Sequence, residues 1–198
     1  MSAQFKNSFN MIIAGVGGQG IMTLTHVLTS LCAQAGILVQ SSIHKGGAQQ
    51  LGSIHSVLRL YFQNDPDAKN YSTQMLDGDL DLILGLEPWE TLRYARYFSE
   101  KTQVLSNSQS IGIETERYQS KKFMEPCEQL KSLKINLMLS DFSGEAEMRF
   151  MSKKMLNFVV AERAIIDKLI PFKKVDLERE FESRGYRVQN IIGGEKNV

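Results

Sequence analysis

Asn10-Met11-Ile12-Ile13-Ala14-Gly15-Val16-Gly17-Gly18-Gln19-Gly20-Ile21 decides the fold. The apolar run reads as a strand and the glycines as a tight turn. The residues that follow repeat apolar side chains at helical spacing (Ile21, Leu24, Leu28, Leu31, Ala35), a helix that Gly36 is placed to stop. In such a unit one glycine permits the turn, one lets backbone N–H groups approach a ligand, and one lets helix and strand pack closely. Free N–H groups and the helix dipole favour an anion there. Gly15, Gly17, Gly18, Gln19 and Gly20 are therefore candidate residues for contacting an anion or a partner.

Working outward, Ile37 to Ile43 reads as a second strand and His44-Lys45-Gly46-Gly47-Ala48-Gln49-Gln50-Leu51-Gly52-Ser53 as a loop. Ile54 to Phe62 is a third strand, broken by Asn64-Asp65-Pro66-Asp67. Leu80 to Leu86 predicts a strand ending at Glu87-Pro88, followed by a helix over Trp89 to Phe98 with Pro88 near its start. Short strands are expected at Gln103 to Ser106 and Ile135 to Leu139, with a polar stretch of no clear pattern from Ile111 to Gln129 between them. Gly144 to Ile170 is helical until Pro171, Val175 to Ser183 is a further helix, Tyr186 to Ile192 is extended, and the last six residues fray. Alternating strands and helices imply a single α/β domain over residues 1–198: three layers, a mainly parallel sheet with a Rossmann-like start, and a helical tail from residue 172. Ligands are then expected beyond the C-terminal ends of the strands.

Composition excludes several classes. A formal net charge of +1 over 198 residues argues against a general nucleic-acid binder, and no apolar run approaches the ~18 residues of a membrane span. No signal peptide is visible, and Cys32 and Cys127 show no paired or Cys/His spacing, so neither a disulfide framework nor a metal site is indicated and a cytoplasmic setting is expected. The charge is uneven: no Asp or Glu precedes Asp65, whereas Lys6, Lys45, Arg59 and all three histidines do. Such a segment suits an anion or a partner surface; buried strands and a glycine loop would also leave little room for carboxylates.

A dinucleotide site usually places an acid near the end of the second strand for the ribose hydroxyls. Here that region reads Val39-Gln40-Ser41-Ser42-Ile43-His44-Lys45, where only Ser41, Ser42 and Lys45 offer a substitute, for a 2′-phosphate. Two other readings stay open: a glycine turn that serves close packing alone, and a nucleotide-binding regulatory module.

Four stretches in order resemble the gamma subunit, or gamma domain, of the 2-oxoacid:ferredoxin oxidoreductases, and within that family the small beta subunit of indolepyruvate oxidoreductase. Met11 to Ile21 is similar to its strand and Gly-x-Gly-Gly-Gln-Gly turn. Ser42 to Ser53 resembles its Ser-x-x-His-Gly-x-Ser/Ala-Gln-Arg-Gly-Gly-Ser loop, with Val57-Leu58-Arg59 like the strand after it. Asp81 to Leu92 resembles its Asp-x-x-Leu-x-Leu-Glu-Pro-x-Glu-x-Leu segment, and Val104 to Ile111 the next strand and turn. Asn157-Phe158-Val159 echoes its late Asn-x-Val, so the resemblance runs from about residue 10 to 165. The departures are one extra residue after His44, Gln50-Leu51 in place of Arg-Gly, Ser110 in place of Pro, and Val160-Ala161 in place of Leu-Gly. Loss of the arginine removes a bidentate anion clamp that Lys45 replaces only in part.

The resemblance implies a subunit of a larger enzyme that oxidatively decarboxylates a 2-oxoacid to an acyl-CoA and passes electrons to ferredoxin. Thiamine diphosphate, Mg²⁺ and iron–sulfur clusters would sit on a larger partner subunit, coenzyme A would be the co-substrate, and this chain would bind no cofactor firmly and carry no catalytic or metal residue. Its contacting residues would be the glycine turn together with His44, Lys45, Gly46, Gly47, Gln49, Gly52 and Ser53. For the isolated chain, self-pairing of the partner surface as a homodimer is one expected outcome. An adenylating enzyme of the ubiquitin-activating type shares only the opening turn and lacks the acid, arginine and CxxC pairs expected there.

Single residues have plainer readings. His44 suits a polar contact better than catalysis, and His26 and His55 suit structural roles in a helix and a strand. Glu87 and Glu90 are expected to complement a helix N-terminus rather than act as an acid–base pair. Trp89 anchors an interface or fills the core, and Met148, Met151 and Met155 at helical spacing are expected to pack.

Overall fold

The computed structural model describes residues 8–47, 52–62, 74–111 and 125–189. Six strands form one sheet: β1 (Ser8–Val16), β2 (Leu38–Lys45), β3 (Ser53–Tyr61), β4 (Leu82–Gly85), β5 (Gln103–Asn107) and β6 (Asn136–Ser140). Their order is β2-β3-β1-β4-β5-β6. β1, β4, β5 and β6 are parallel neighbours, and β3 lies antiparallel between β1 and β2, so five strands run one way and β3 alone is reversed. The mainly parallel expectation holds, with the reversal supplied by the β2–β3 hairpin, whose seven connecting residues, 46–52, are too few for a crossover helix.

Both sides of β1 are buried, as a continuous apolar run in a central strand requires. Met11 and Ile13 face α1 (Ile21–Gln34), α4 (Phe142–Phe150), α5 (Leu156–Ile166) and α6 (Lys174–Glu182) in the larger core. Ile12 and Ala14 face a smaller core with Val57, Met75, Ile83 and Tyr94. This second side carries α2 (Pro88–Leu92), a 3₁₀ turn (Ala95–Tyr97) and α3 (Pro126–Ser132), which packs on α2. The described residues thus form a three-layer α/β/α arrangement with unequal outer layers.

Several boundaries differ from the sequence reading. The helix expected over Trp89 to Phe98 splits into α2 and the 3₁₀ turn. The stretch Gly144 to Ile170 is two helices, because Met151 adopts a left-handed backbone (φ 53°) and Ser152 is extended. Met155 is buried as expected, but Met148 and Met151 are 60% and 67% exposed, so the methionine spacing does not mark a core stripe. Tyr186 to Gln189 forms no strand. Instead Tyr186 ends an edge-to-face chain, Phe150–Phe158–Phe181–Tyr186, with ring centroids 5.1–5.5 Å apart, that ties α4, α5 and α6 together. Buried Glu162 on α5 adds an ion pair to Lys174 at the start of α6 (2.7 Å) and another to Arg149 on α4. The break at Asn64 to Asp67, most of the polar stretch from Ile111 to Gln129, Gln49 and the frayed end lie outside the described residues.

Candidate functional site

The β1–β4 boundary is where chain connections diverge, and in open α/β sheets the crevice above such a point receives ligands. Here a side chain bridges it. Gln19 accepts a hydrogen bond from Val16 N (2.8 Å) through Oε1, and its Nε2 donates to the Leu86 carbonyl at the end of β4 (2.9 Å). Asn107 Nδ2 donates to the same carbonyl (3.2 Å) and to Ser143 Oγ (2.9 Å), extending the network to the first turn of α4. Gln19 and Asn107 are both buried, and a buried network of this kind fixes geometry because every broken bond leaves a desolvated group.

The glycines divide their duties as the sequence implied, but toward the protein itself. Gly15 has no space for a side chain, since Gln19 Oε1 and Leu86 Cβ stand where its Cβ would be. Gly17 N donates to the Gly52 carbonyl (2.9 Å), which fastens the turn to the β2–β3 hairpin. Gln19 N donates to Val16 O (3.2 Å). Gly18 and Gly20 take positive φ (94° and 80°), and Asn157 of α5 lies against Gly20, donating from Nδ2 to the Gly20 carbonyl (3.1 Å). Asn157 is fully buried, and its Oδ1 accepts from Phe158 N (2.8 Å). The N–H groups of Val16, Gly17 and Gln19, which an open phosphate cradle would present, are thus already engaged.

The second candidate segment is not a simple loop. His44 and Lys45 end β2 and Ser53 begins β3, with register pairs His44↔His55 and Lys45↔Ile54, because the strand pairing persists to the end of the hairpin. Gly46 N donates to Ser53 O (2.7 Å) and closes it, with Gly46 and Gly47 exposed beyond. His44 and Lys45 are also exposed, and His44 Nε2 lies 3.1 Å from Ser42 Oγ. The structure therefore joins the two predicted segments through Gly17 and Gly52 into one rim.

Glu87 and Glu90 stand beside that rim. Glu87 is 2% exposed and caps α2: Oε2 accepts from Glu90 N (2.8 Å), while Oε1 accepts from Ser110 Oγ (2.8 Å). Burial raises its pKa above the usual carboxylate range, against these hydrogen bonds. Glu90 accepts from Ser53 Oγ (2.6 Å) and from both Arg93 Nε and Nη2 (3.0 and 3.1 Å). The helix-capping reading therefore holds for Glu87, whereas Glu90 is a clamp between hairpin and α2. Trp89 is 37% exposed and does not fill the core.

One association at the rim carries no motif of its own. His44 and His55 stack across the hairpin (centroids 4.6 Å apart, planes 11° from parallel), and Tyr94 lies 4.8 Å from His55. The signal available was positional: once Gly46 and Gly52 bracket the hairpin, His44 and His55 become cross-strand partners.

A family model for pyruvate ferredoxin/flavodoxin oxidoreductases matches residues 10–166. The chain belongs to this family. Relatives include the indolepyruvate oxidoreductase subunit IorB of Pyrococcus horikoshii, 35% identical over 103 residues, covering 52% of this chain and 48% of that protein. The same subunit of Archaeoglobus fulgidus is 31% identical over 102 residues, 52% of this chain and 47% of that protein. The chain spans about half the length of the curated relatives it matches. The fold is shared with pyruvate oxidoreductase subunit PORC of Thermotoga maritima (TM-score 0.62, 14% identity, 92% of this chain and 88% of that one). It is shared also with a 2-oxoglutarate:ferredoxin oxidoreductase of Magnetococcus marinus, a structure holding 2-oxoglutarate, coenzyme A and succinyl-CoA (TM-score 0.62, 16% identity, 92% of this chain and 28% of that one). The shared fold thus makes up most of one of these solved chains and about a quarter of the other.

Proposed function

We propose that the chain is the non-thiamine-binding subunit of a 2-oxoacid:ferredoxin oxidoreductase of the indolepyruvate or pyruvate type. The complex would convert a 2-oxoacid to an acyl-CoA. The observation that carries this reading is the family match over residues 10–166. Two cysteines in the whole chain are too few for the four thiolates of an iron–sulfur cluster, and among the described residues no three His, Cys, Asp or Glu side chains gather as a metal would need. In this reading the clusters, thiamine diphosphate and Mg²⁺ are carried by a larger partner subunit. The rim formed by the glycine turn and the β2–β3 hairpin is the partner-facing surface, with Lys45 near the path of coenzyme A and ferredoxin reached through the partner. Gln19 spanning the β1–β4 crevice supports this reading over a nucleotide-binding regulator. A cytoplasmic complex goes with this reading; no helix among the described residues is long and apolar enough to cross a membrane.

The test is affinity capture of the tagged chain from its native cells at low salt, with cofactor analysis and assay of CoA-dependent electron transfer from a panel of 2-oxoacids. A co-purifying larger subunit carrying thiamine diphosphate and iron–sulfur clusters is the expected result. A lone or self-paired chain carrying a nucleotide would overturn the proposal.

A further inference from the structure

Among the described residues the two sheet faces are covered unequally. α1 and α4 to α6 close one side, whereas α2, the 3₁₀ turn and α3 serve the other. Beside the β2–β3 hairpin on that second side lies a partly open cavity of about 280 Å³.

Its walls are rings: His44 and His55 from the hairpin, Tyr94 and Tyr97 from the segment after α2. Ile12 and Val57 form the apolar floor, with Met75 beside them in the same small core. Gln74 contributes to the lining as well, so among the described lining residues no Asp, Glu, Lys or Arg is present. The neighbouring carboxylate, Glu90, is committed to Ser53 and Arg93 and does not line the space. His55 is kept neutral, its pKa lowered to about 4 mainly by burial and further by His44.

The walls are held in place before anything binds. Glu90 anchors Ser53 at the start of β3, and the His44–His55 stack is set by strand register. Tyr94 and Tyr97 lie nearly parallel (14°) with centroids 6.4 Å apart. Pre-positioned rings lower the ordering penalty of binding another ring, which gains from offset or edge-to-face contact and from the nearby thioether.

Size narrows the class. A cavity of about 150 Å³ holds one benzene ring, and drug-sized ligands occupy about 300–1,000 Å³. A volume of about 280 Å³ suits one ring or two fused rings and is too small for a dinucleotide or coenzyme A.

We infer that this cavity is a binding site for a free, uncharged planar aromatic molecule of one or two fused rings. It is separate from the glycine turn but shares His44 with the hairpin end, and binding to the isolated full chain is independent of the proposed subunit role.

The test uses the full chain with indole as the probe and cyclohexanol as a saturated ring control, followed by calorimetry and by tyrosine and histidine side-chain NMR. Saturable indole binding is expected, with shifts at His55 and Tyr94 and at least tenfold weaker binding of cyclohexanol. Met75→Trp, which fills the space with a ring of its own, should abolish indole binding while keeping a cooperative thermal transition. If Met75→Trp does not fold, Tyr97→Ala serves instead, since loss of a wall ring should weaken indole about tenfold. Absence of saturable indole binding, equal binding of cyclohexanol, or unchanged affinity in a folded cavity variant would each overturn the proposal.

Discussion

The glycine turn and the end of the β2–β3 hairpin meet at one rim, yet they are built on opposite plans. In the turn, backbone and side-chain groups satisfy one another: Gln19 spans from Val16 to Leu86, and Asn157 locks Gly20 from the far helix. At the hairpin end His44, Lys45, Gly46 and Gly47 are exposed, and Gly46 N donates to Ser53 O just beyond the last register pair. The contrast separates a structural seal from a surface available for contact. Substitutions in the turn should act on stability first, whereas substitutions at the hairpin end should act on association.

The largest expected effect is at Gly20. Its backbone is left-handed (φ 80°), and any Cβ there would run into the Asn157 side chain. Gly20→Val should lower unfolding free energy by about 3 kcal/mol, combining left-handed strain with overpacking. Urea denaturation checks this, and a loss below about 1 kcal/mol would mean that the turn is far looser than its hydrogen bonds imply.

Next comes acid sensitivity at the hairpin. His55 is packed between His44 and Tyr94 with Glu90 nearby; burial and His44 lower its pKa to about 4 from 6.5, while Glu90 pulls the other way. Between those values the unfolded chain binds a proton that the folded chain refuses. Its contribution is therefore intact above the ordinary histidine range and falls away as pH drops from about 6.5 to 4. The loss should be roughly 2 kcal/mol once partial exposure is allowed for. His55→Gln should flatten the stability profile across that window, and an unchanged slope would assign the acid sensitivity to other groups.

These two sites also show what could be read from residues alone. The strand–turn–helix at Asn10 to Gln34 was legible because periodicity and glycine placement are local properties. The same holds for Glu87 as a cap, since Glu-Pro before an amphipathic start carries its own geometry. Gln19 was legible as part of a motif but not as a bridge, because its acceptor, the Leu86 carbonyl, is 67 residues away. Asn157 is 137 residues from Gly20, so its contact depends on how α5 crosses α1. The break at Met151 is silent for a different reason: a non-glycine residue in a left-handed turn leaves no composition signal.

Gln19→Leu probes the seal at moderate strength. It removes an acceptor for Val16 N–H and a donor to Leu86, although Asn107 still serves that carbonyl. One buried N–H left unpaired should make the loss about 2 kcal/mol. A double-mutant cycle with Asn107→Ala should show coupling, because the two side chains share one acceptor. Simple additivity would mean that the crevice is held by independent contacts.

The smallest effect on stability, and the sharpest division between the regions, is expected at Lys45. Its side chain lies exposed at the hairpin end, so Lys45→Glu should change unfolding free energy by no more than about 0.5 kcal/mol. The same substitution reverses the only formal charge among Leu38 to Gly47, a segment without a carboxylate. If the hairpin end faces an anionic partner surface or the phosphates of coenzyme A, association measured at low salt should weaken markedly and the difference should shrink as salt rises. Gln19→Leu, by contrast, should shift stability without such salt dependence, because its contacts are buried and uncharged. Equal association of Lys45→Glu and the unaltered chain at low salt would remove the hairpin end from the interface, whatever the turn does.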